Sequence, residues 1–176
     1  LAVLERSMAI GEPALEVEAL PEHVASYFCR PGHPLTRETQ LSMEQVFSFP
    51  FVGTRLSQRV ATDLMRTVKV GRIDPDSGDY VPPIRVDTVA AAKDVVMKCD
   101  AVGSAPLALI AREIRAGQLC ALPLRLDWMH TQYGFVYLRE RQLSPAALAF
   151  MAEVRSVEGE LVQLAERIRE PVDVTP

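Results

Sequence analysis

The sequence contains neither a long apolar run nor a surplus of basic residues. A transmembrane helix needs about 20 consecutive apolar residues, and the longest apolar stretch, residues 101–111, is much shorter. No basic start followed by an apolar segment opens the chain, so no export signal is visible and we expect a cytoplasmic protein. The net charge of −4 leaves no basic stripe for a phosphate backbone, and we do not expect these residues by themselves to bind DNA well.

Cysteine is also scarce, and its spacing forms no motif. The three cysteines are Cys29, Cys99 and Cys120. Their neighbours are apolar, no CxxC spacing joins them, and an odd number cannot pair completely. We interpret all three as reduced thiols packed in the core, with neither a redox nor a metal-binding role.

Catalytic and metal-binding patterns are missing as well. Ser104 lacks the G-x-S-x-G pattern of a hydrolase nucleophile, and the three histidines lie far apart without metal-ligand spacing. Residues 74–79 include three aspartates, but Arg85 stands where a calcium loop needs glutamate, so we predict a turn. We expect no enzymatic activity, no metal and no cofactor.

The middle of the chain alternates short apolar strands with amphipathic helices. At 176 residues and 48% hydrophobic, the chain can bury a core without disulfides or a metal. We predict helices at 56–68, 88–98 and 106–116, separated by strands at 51–53, 84–86, 101–103 and 119–122. This alternation implies parallel strands joined by right-handed crossovers, which is an α/β fold.

The outer parts of the chain contain longer elements. We predict strands at 1–4, 15–20, 23–30 and 132–139, and a short helix that Ser42 and Gln45 begin as a capping box. Ser144 and Pro145 begin the longest helix. Its apolar stripe consists of Phe150, Val154, Val157, Leu161, Leu164 and Ile168.

Several segments, taken in order, resemble one family. They are YFCRPGHPL (27–35), LSMEQVFSFPFV (41–52), the long segment 85–124 ending in LCALPL, and QYGFVYLRERQLSPAALAFMAEVR (132–155). Together they are similar to the effector-binding domain of LysR-type transcriptional regulators, over about residues 1–169. One departure is GSAPLAL (103–109), where the family has a G-[IV]-A-L-L-P run, so that Ser104 and Pro106 differ.

The resemblance implies an α/β, type II periplasmic-binding-protein-like fold with two α/β lobes joined by two crossing hinge strands. Residues 1–22 and 140–176 would be the remnant of the first lobe, 23–30 and 132–139 the hinges, and 31–131 the second lobe. The family's first lobe opens with two further strands and helices, and its DNA-binding winged helix-turn-helix precedes that lobe. Neither has a counterpart here. We therefore expect an N-terminally truncated sensor whose first lobe is incomplete and prone to self-association.

The implied function is ligand sensing: a small, anionic metabolite bound between the lobes modulates DNA binding by the absent domain. We expect a homodimer or homotetramer formed through the Phe150 to Ile168 stripe. The alternative is a stand-alone solute-binding protein or transport receptor of the same fold, which would carry an export signal. An enzyme on a related fold is disfavoured, because no nucleophile, base or metal set converges.

Candidate ligand contacts follow the two strands of the second lobe whose ends precede helices. The first set consists of Gly53, Thr54 and Arg55, which offer backbone amides, a hydroxyl and a guanidinium. The second set consists of Gly103, Ser104 and Ala105, which occupy the corresponding position at the end of the strand at 101–103.

Simpler roles remain open for these side chains. Thr54 and Ser57 would equally serve as helix caps, and Arg55 as a solvated surface charge. In the first lobe, Glu5 and Arg6 after the first strand are weaker candidates.

Overall fold

The computed structural model describes residues 1–9 and 11–169, and these form two compact units. The first consists of the described residues of Leu1–Val24 and His130–Pro176, and the second of Ala25–Met129. The chain therefore passes from the first unit to the second near residue 24 and returns near residue 130.

The described residues contain nine strands and five α-helices. The strands are β1 (Ala2–Glu5), β2 (Leu15–Cys29), β3 (Phe51–Gly53), β4 (Arg72–Ile73), β5 (Tyr80–Val81), β6 (Ile84–Arg85), β7 (Val102–Pro106), β8 (Cys120–Ala121) and β9 (His130–Leu138). The helices are α1 (Met43–Phe47), α2 (Gln58–Thr67), α3 (Val89–Val96), α4 (Leu107–Arg115) and α5 (Pro145–Arg169). Short 3-10 helices occur at Arg6–Ala9 and Pro34–Arg37.

The first unit contains an antiparallel sheet in which β9 lies between β1 and the first part of β2. Val3 pairs with Phe135 and Leu15 with Leu138, and the pairing shifts between Ala19 and Glu22. The sequence predicted two separate strands, 15–20 and 23–30, and this was wrong. Pro21 lies at the shift, where its missing N–H disturbs the pairing without ending the strand.

Helix α5 packs on this sheet through a small cluster. Met151 is buried with Leu20 and Phe135, and Val154 packs against them. A second contact is polar, since Nε2 of His23 on β2 lies 2.5 Å from a carboxylate oxygen of Glu158. The predicted start of this helix is confirmed, because the Ser144 hydroxyl accepts a hydrogen bond from the Ala147 N–H.

The second unit is the α/β part of the chain. Strand β3 runs parallel to β7 on one side and β6 on the other, while the last part of β2 pairs antiparallel with both β7 and β8. Phe51 and Val52 are fully buried, as expected for a central strand covered on both faces. The α/β prediction from the alternating pattern is confirmed, and so is the Ser42 capping box.

The predicted turn at 74–79 is confirmed, and it connects β4 to β5 in a hairpin. Two other local predictions for the second unit need correction. Strand β7 continues to Pro106, so the proline precedes the helix as its N-cap. Cys99 is exposed, whereas Cys29 is buried and Cys120 partly buried.

None of the helices in residues 1–9 and 11–169 has the length and apolar character that a membrane span requires.

Candidate functional site

The two segments predicted to contact a ligand follow strands that end side by side. In the parallel pairing of β3 with β7, Phe51 is opposite Val102 and Val52 is opposite Gly103. Gly53 and Ser104 are the next residues on each strand, so both segments lie at one edge of the same sheet. In open α/β sheets the carboxyl edge of the parallel strands is where ligands bind. We call Gly53 to Arg55 with Gly103 to Ala105 the carboxyl edge.

The helices that follow the carboxyl edge begin without side-chain caps. Helix α2 starts after Ser57 and α4 after Pro106, and neither N-cap side chain accepts a hydrogen bond from the first turn. The other α-helices of the described residues are capped by hydroxyls, from Ser42, Ser144 and Thr88. The first-turn N–H groups of α2 and α4 are therefore available to an anion, which the helix dipole also favours.

Two hydroxyl side chains lie beside these helix starts. Thr54 and Ser104 are both half-buried, and within the described part of the chain neither hydroxyl hydrogen-bonds to another residue. Thr54 lies outside helix α2 and does not cap it, while Ser57 holds the N-cap position without making the cap bond. The capping role considered for Thr54 and Ser57 is thus not observed. The hydroxyls of Thr54 and Ser104 can therefore hydrogen-bond to a ligand.

Tyr80 holds the backbone between Thr54 and α2 in place. Leu56 and Tyr80 exchange two backbone hydrogen bonds, of 3.1 and 2.9 Å. Tyr80 is fully buried, and its hydroxyl donates to the Val70 carbonyl at 2.7 Å. Gly71 has φ +83°, and a Cβ there would lie 2.6 Å from the Tyr80 hydroxyl oxygen. This support was not predicted, because no local signal in the sequence links residues 56, 71 and 80.

Arg55 is turned toward the hairpin. Its guanidinium lies 2.6 Å from a carboxylate oxygen of Asp74 and 3.7 Å from one of Asp79. The Ser77 and Asp76 backbone N–H groups, together with this guanidinium, hold the pKa of Asp74 below its usual range. Arg55 therefore already has carboxylate partners, and an anion at the carboxyl edge would have to compete with them for it.

Two residues on β2 adjoin the carboxyl edge and were not predicted. Ser26 is opposite Ala105 and Phe28 is opposite Gly103. Ser26 is buried and donates its hydroxyl to the Tyr27 carbonyl, so it contributes to the packing behind the edge. Only the strand register brings these residues together.

The weaker candidates Glu5 and Arg6 belong to the first unit. Glu5 pairs with Tyr133 in the β1–β9 ladder, and Arg6 donates to the Gln132 side-chain oxygen at 2.9 Å. Within the described residues, no group of three or more histidine, cysteine or acidic side chains is placed to hold a metal ion.

Comparison with known proteins identifies the family. Residues 2–158 match the model of the LysR substrate binding domain. The chain belongs to this family. LysR-family members are transcriptional regulators and not enzymes, and this domain is their effector-binding part, so the resemblance drawn from the sequence is confirmed.

One related protein and two solved structures show the extent of the match. The chain is 35% identical over 142 residues to the SDS degradation transcriptional activation protein of a Pseudomonas species, covering 78% of this chain and 44% of that protein. It thus spans less than half of that relative. A putative transcriptional regulator from Vibrio parahaemolyticus superposes with a TM-score of 0.68 at 19% identity, covering 96% of this chain and 73% of the other.

The second structure is the effector binding domain of QuiR in complex with shikimate. Its TM-score is 0.59 at 15% identity, with 86% of this chain and 68% of that domain's chain covered. At these identities the structural matches establish the fold, which is the type II periplasmic-binding-protein-like fold of LysR effector-binding domains.

Proposed function

We propose that this LysR-family domain senses a small anionic effector, which binds at the carboxyl edge. The observation that carries the proposal is the pair of adjacent strand ends followed by two helix starts without side-chain caps. Backbone N–H groups would take the charged group, and the Thr54 and Ser104 hydroxyls would fix its orientation. The backbone at Gly53, Gly103 and Ala105 would lie close to the effector. Arg55 would contribute only if its guanidinium binds the effector and its two carboxylate partners at the same time.

Two classes of anion are the first to test. The QuiR structure contains shikimate, a small carboxylate. The Pseudomonas relative is named for activation of SDS degradation, and dodecyl sulfate has a sulfate head group. Both head groups suit free helix N–H groups. Shikimate, benzoate and octyl sulfate are therefore the probes, with octanol as the uncharged counterpart of octyl sulfate.

We expect at least one anionic probe to raise the melting temperature of the protein. A ligand that binds only the folded state adds about 2.7 kcal/mol at 100 times its Kd. Thr54→Ala and Ser104→Ala should each weaken that binding roughly tenfold or more, since a hydrogen bond to a charged group is worth about 1.5–3 kcal/mol.

Thr62→Ala is the matched control for this experiment. Thr62 is exposed on α2, where its hydroxyl bonds the Gln58 carbonyl, away from the carboxyl edge. The control should bind each probe like the unmodified chain. If a probe binds and all three variants bind it equally, the effector site lies elsewhere.

The regulatory role of the whole protein is also part of the proposal. We propose that DNA binding resides in a part of the regulator outside these residues and responds to the effector in the cytoplasm. The Pseudomonas relative is named as a transcriptional activation protein and the Vibrio protein as a putative transcriptional regulator, and both names support this role. The stand-alone transport receptor is not favoured by these comparisons.

We further propose that α5 provides the homo-oligomer contact, in a dimer or tetramer. Phe150 and Val157 on this helix are 50% and 47% exposed, although both are large apolar side chains. Val154 belongs to the same predicted stripe but packs against the buried cluster of the first unit. The stripe therefore divides into an exposed part, suited to a partner, and a part that stabilises the fold.

Val157→Asp should dissociate the oligomer while leaving the melting temperature of the monomer nearly unchanged. Val154→Asp should lower the thermal stability, because it places a charge against apolar side chains. Analytical ultracentrifugation with thermal unfolding separates the two effects. If Val157→Asp sediments like the unmodified chain, α5 is not the oligomer contact.

A further inference from the structure

Two of the three cysteines face each other across neighbouring strands of the second unit. In the antiparallel pairing of β2 with β8, Cys29 is directly opposite Cys120. The Leu122 N–H donates to the Tyr27 carbonyl two residues along, which makes Cys29 and Cys120 a hydrogen-bonded pair as well. Such pairs have Cα atoms about 5.5 Å apart, and disulfides typically span about 4.4–6.8 Å.

Both thiols also lie on the same face of the sheet. Cys29 is part of the buried core cluster of the second unit, and Cys120 packs against that same cluster. Directly opposed residues of an antiparallel pair place their side chains on one face. Both cysteines are free thiols, and Cys120 is the more accessible of the two.

We propose that Cys29 and Cys120 form a reversible cross-strand disulfide when a hydroperoxide reaches Cys120. This modification site does not depend on the proposed effector site. The disulfide would join the two-residue strand β8 covalently to β2, the strand that extends from the first unit into the second.

The reaction takes place in two balanced steps. The Cys120 sulfur attacks one oxygen of hydrogen peroxide, the O–O bond breaks, and the leaving hydroxide takes up a proton as water, which leaves a sulfenic acid on Cys120. The Cys29 sulfur then attacks the Cys120 sulfur and expels a second water, using the proton released by Cys29. Two thiols are oxidised to one disulfide, and one peroxide is reduced to two waters.

The environments of the two thiols set the order of these steps. Burial, reinforced by the charge that Cys120 would carry, raises the pKa of the Cys29 thiol to about 12. Cys29 is therefore a poor first nucleophile and acts as the resolving thiol, and the second step is slower than the first. The sulfenic acid on Cys120 should persist long enough for dimedone to trap it.

Peptide mapping after peroxide treatment tests the proposal. The folded Cys99→Ser chain is exposed to hydrogen peroxide, quenched in acid, alkylated and digested. We expect a linked peptide pair containing Cys29 and Cys120, lighter by two hydrogens than the separate peptides and split by dithiothreitol. With dimedone present from the start, the adduct should accumulate on Cys120 in place of the link.

Cys29→Ala in the Cys99→Ser background is the matched variant. Without a resolving thiol, Cys120 should proceed to sulfinic acid, a product that the unmodified pair suppresses. The proposal is overturned if Cys120 reaches sulfinic acid equally fast with Cys29 present. It is also overturned if Cys29 stays reduced in the folded chain while Cys120 is oxidised to completion.

Discussion

Gly103→Ala should lower the free energy of unfolding by about 1–3 kcal/mol, the range typical of overpacking in a core. A Cβ on Gly103 would lie 2.4 Å from Cζ of Phe28, and the next nearest ring atoms would be 2.9 Å away. Phe28 is completely buried on the neighbouring strand, so its ring has no open space to move into. The added methyl must push β7 and β2 apart or force the ring out of its rotamer.

Gly53→Ala is the matched control at the other half of the carboxyl edge. A Cβ there meets only ordinary contacts, the nearest at 3.7 Å on the Phe51 ring. We expect its unfolding free energy to change by less than about 0.5 kcal/mol, since replacing glycine inside a strand also removes an entropic cost. Urea unfolding of both variants gives the comparison, and equal losses would mean that the Phe28 contact is not what requires glycine at 103.

A compensating change strengthens this test. Phe28→Leu removes the part of the ring that overlaps the new methyl group, at the cost of lost packing. In a double-mutant cycle, Gly103→Ala should cost less in the Phe28→Leu background than in the unmodified chain. Additive losses would show that the two positions do not interact.

Local sequence signals predicted the elements well where one side chain determines them. The hydroxyls of Ser42 and Ser144 cap the helices they were expected to cap. Each of these signals acts within four residues. The alternation of strands and helices also predicted that β3, β6 and β7 run parallel to one another.

Several features that the sequence did not predict depend on pairing between distant residues. Gly103 meets Phe28, Cys29 meets Cys120, and Tyr80 meets Leu56 because of strand register and chain topology. A one-residue shift in register would change every one of these contacts. No pattern within a single segment contains that information, which is why the cysteines were interpreted as ordinary core residues.

For the candidate site, the shared sheet edge was predictable from the sequence, but the partners of Arg55 were not. That Thr54 and Ser104 share one edge follows from parallel strands joined by crossovers, which the alternation indicated. That Arg55 pairs with Asp74 does not follow, because it depends on how the β4–β5 hairpin folds back. The topology thus brings the candidate residues to one edge of the sheet, while the partners of Arg55 depend on the hairpin.

His33 should make the stability of the protein depend on pH. It is fully buried, its Nδ1 accepts the Leu35 N–H at 3.1 Å, and its ring packs 4.4 Å from that of Phe49. With Nδ1 as acceptor, the proton of the neutral ring lies on Nε2. Burial lowers the pKa of this imidazole, and the opposing effect of Asp100 does not overcome it.

The direction of the pH effect follows from that lowered pKa. An unfolded histidine titrates near pH 6.5, so below this pH the unfolded chain binds a proton that the folded chain resists. The folded state therefore has its full stability above about pH 6.5 and loses it as the pH falls toward the lower, folded-state pKa. Carboxylates with lowered pKa values, such as Asp74 and Glu113, lose their contribution at more acidic pH.

His33→Asn isolates this effect, because an asparagine oxygen can still accept the Leu35 N–H while the side chain does not titrate. At pH 7.5 the variant should be less stable by about 1–3 kcal/mol through lost ring packing. Between pH 7.5 and 5.5, however, urea unfolding should show a smaller loss for the variant than for the unmodified chain. All other ionisable groups are common to both proteins, so their contributions cancel in the difference. Equal losses would mean that protonation of His33 does not oppose folding.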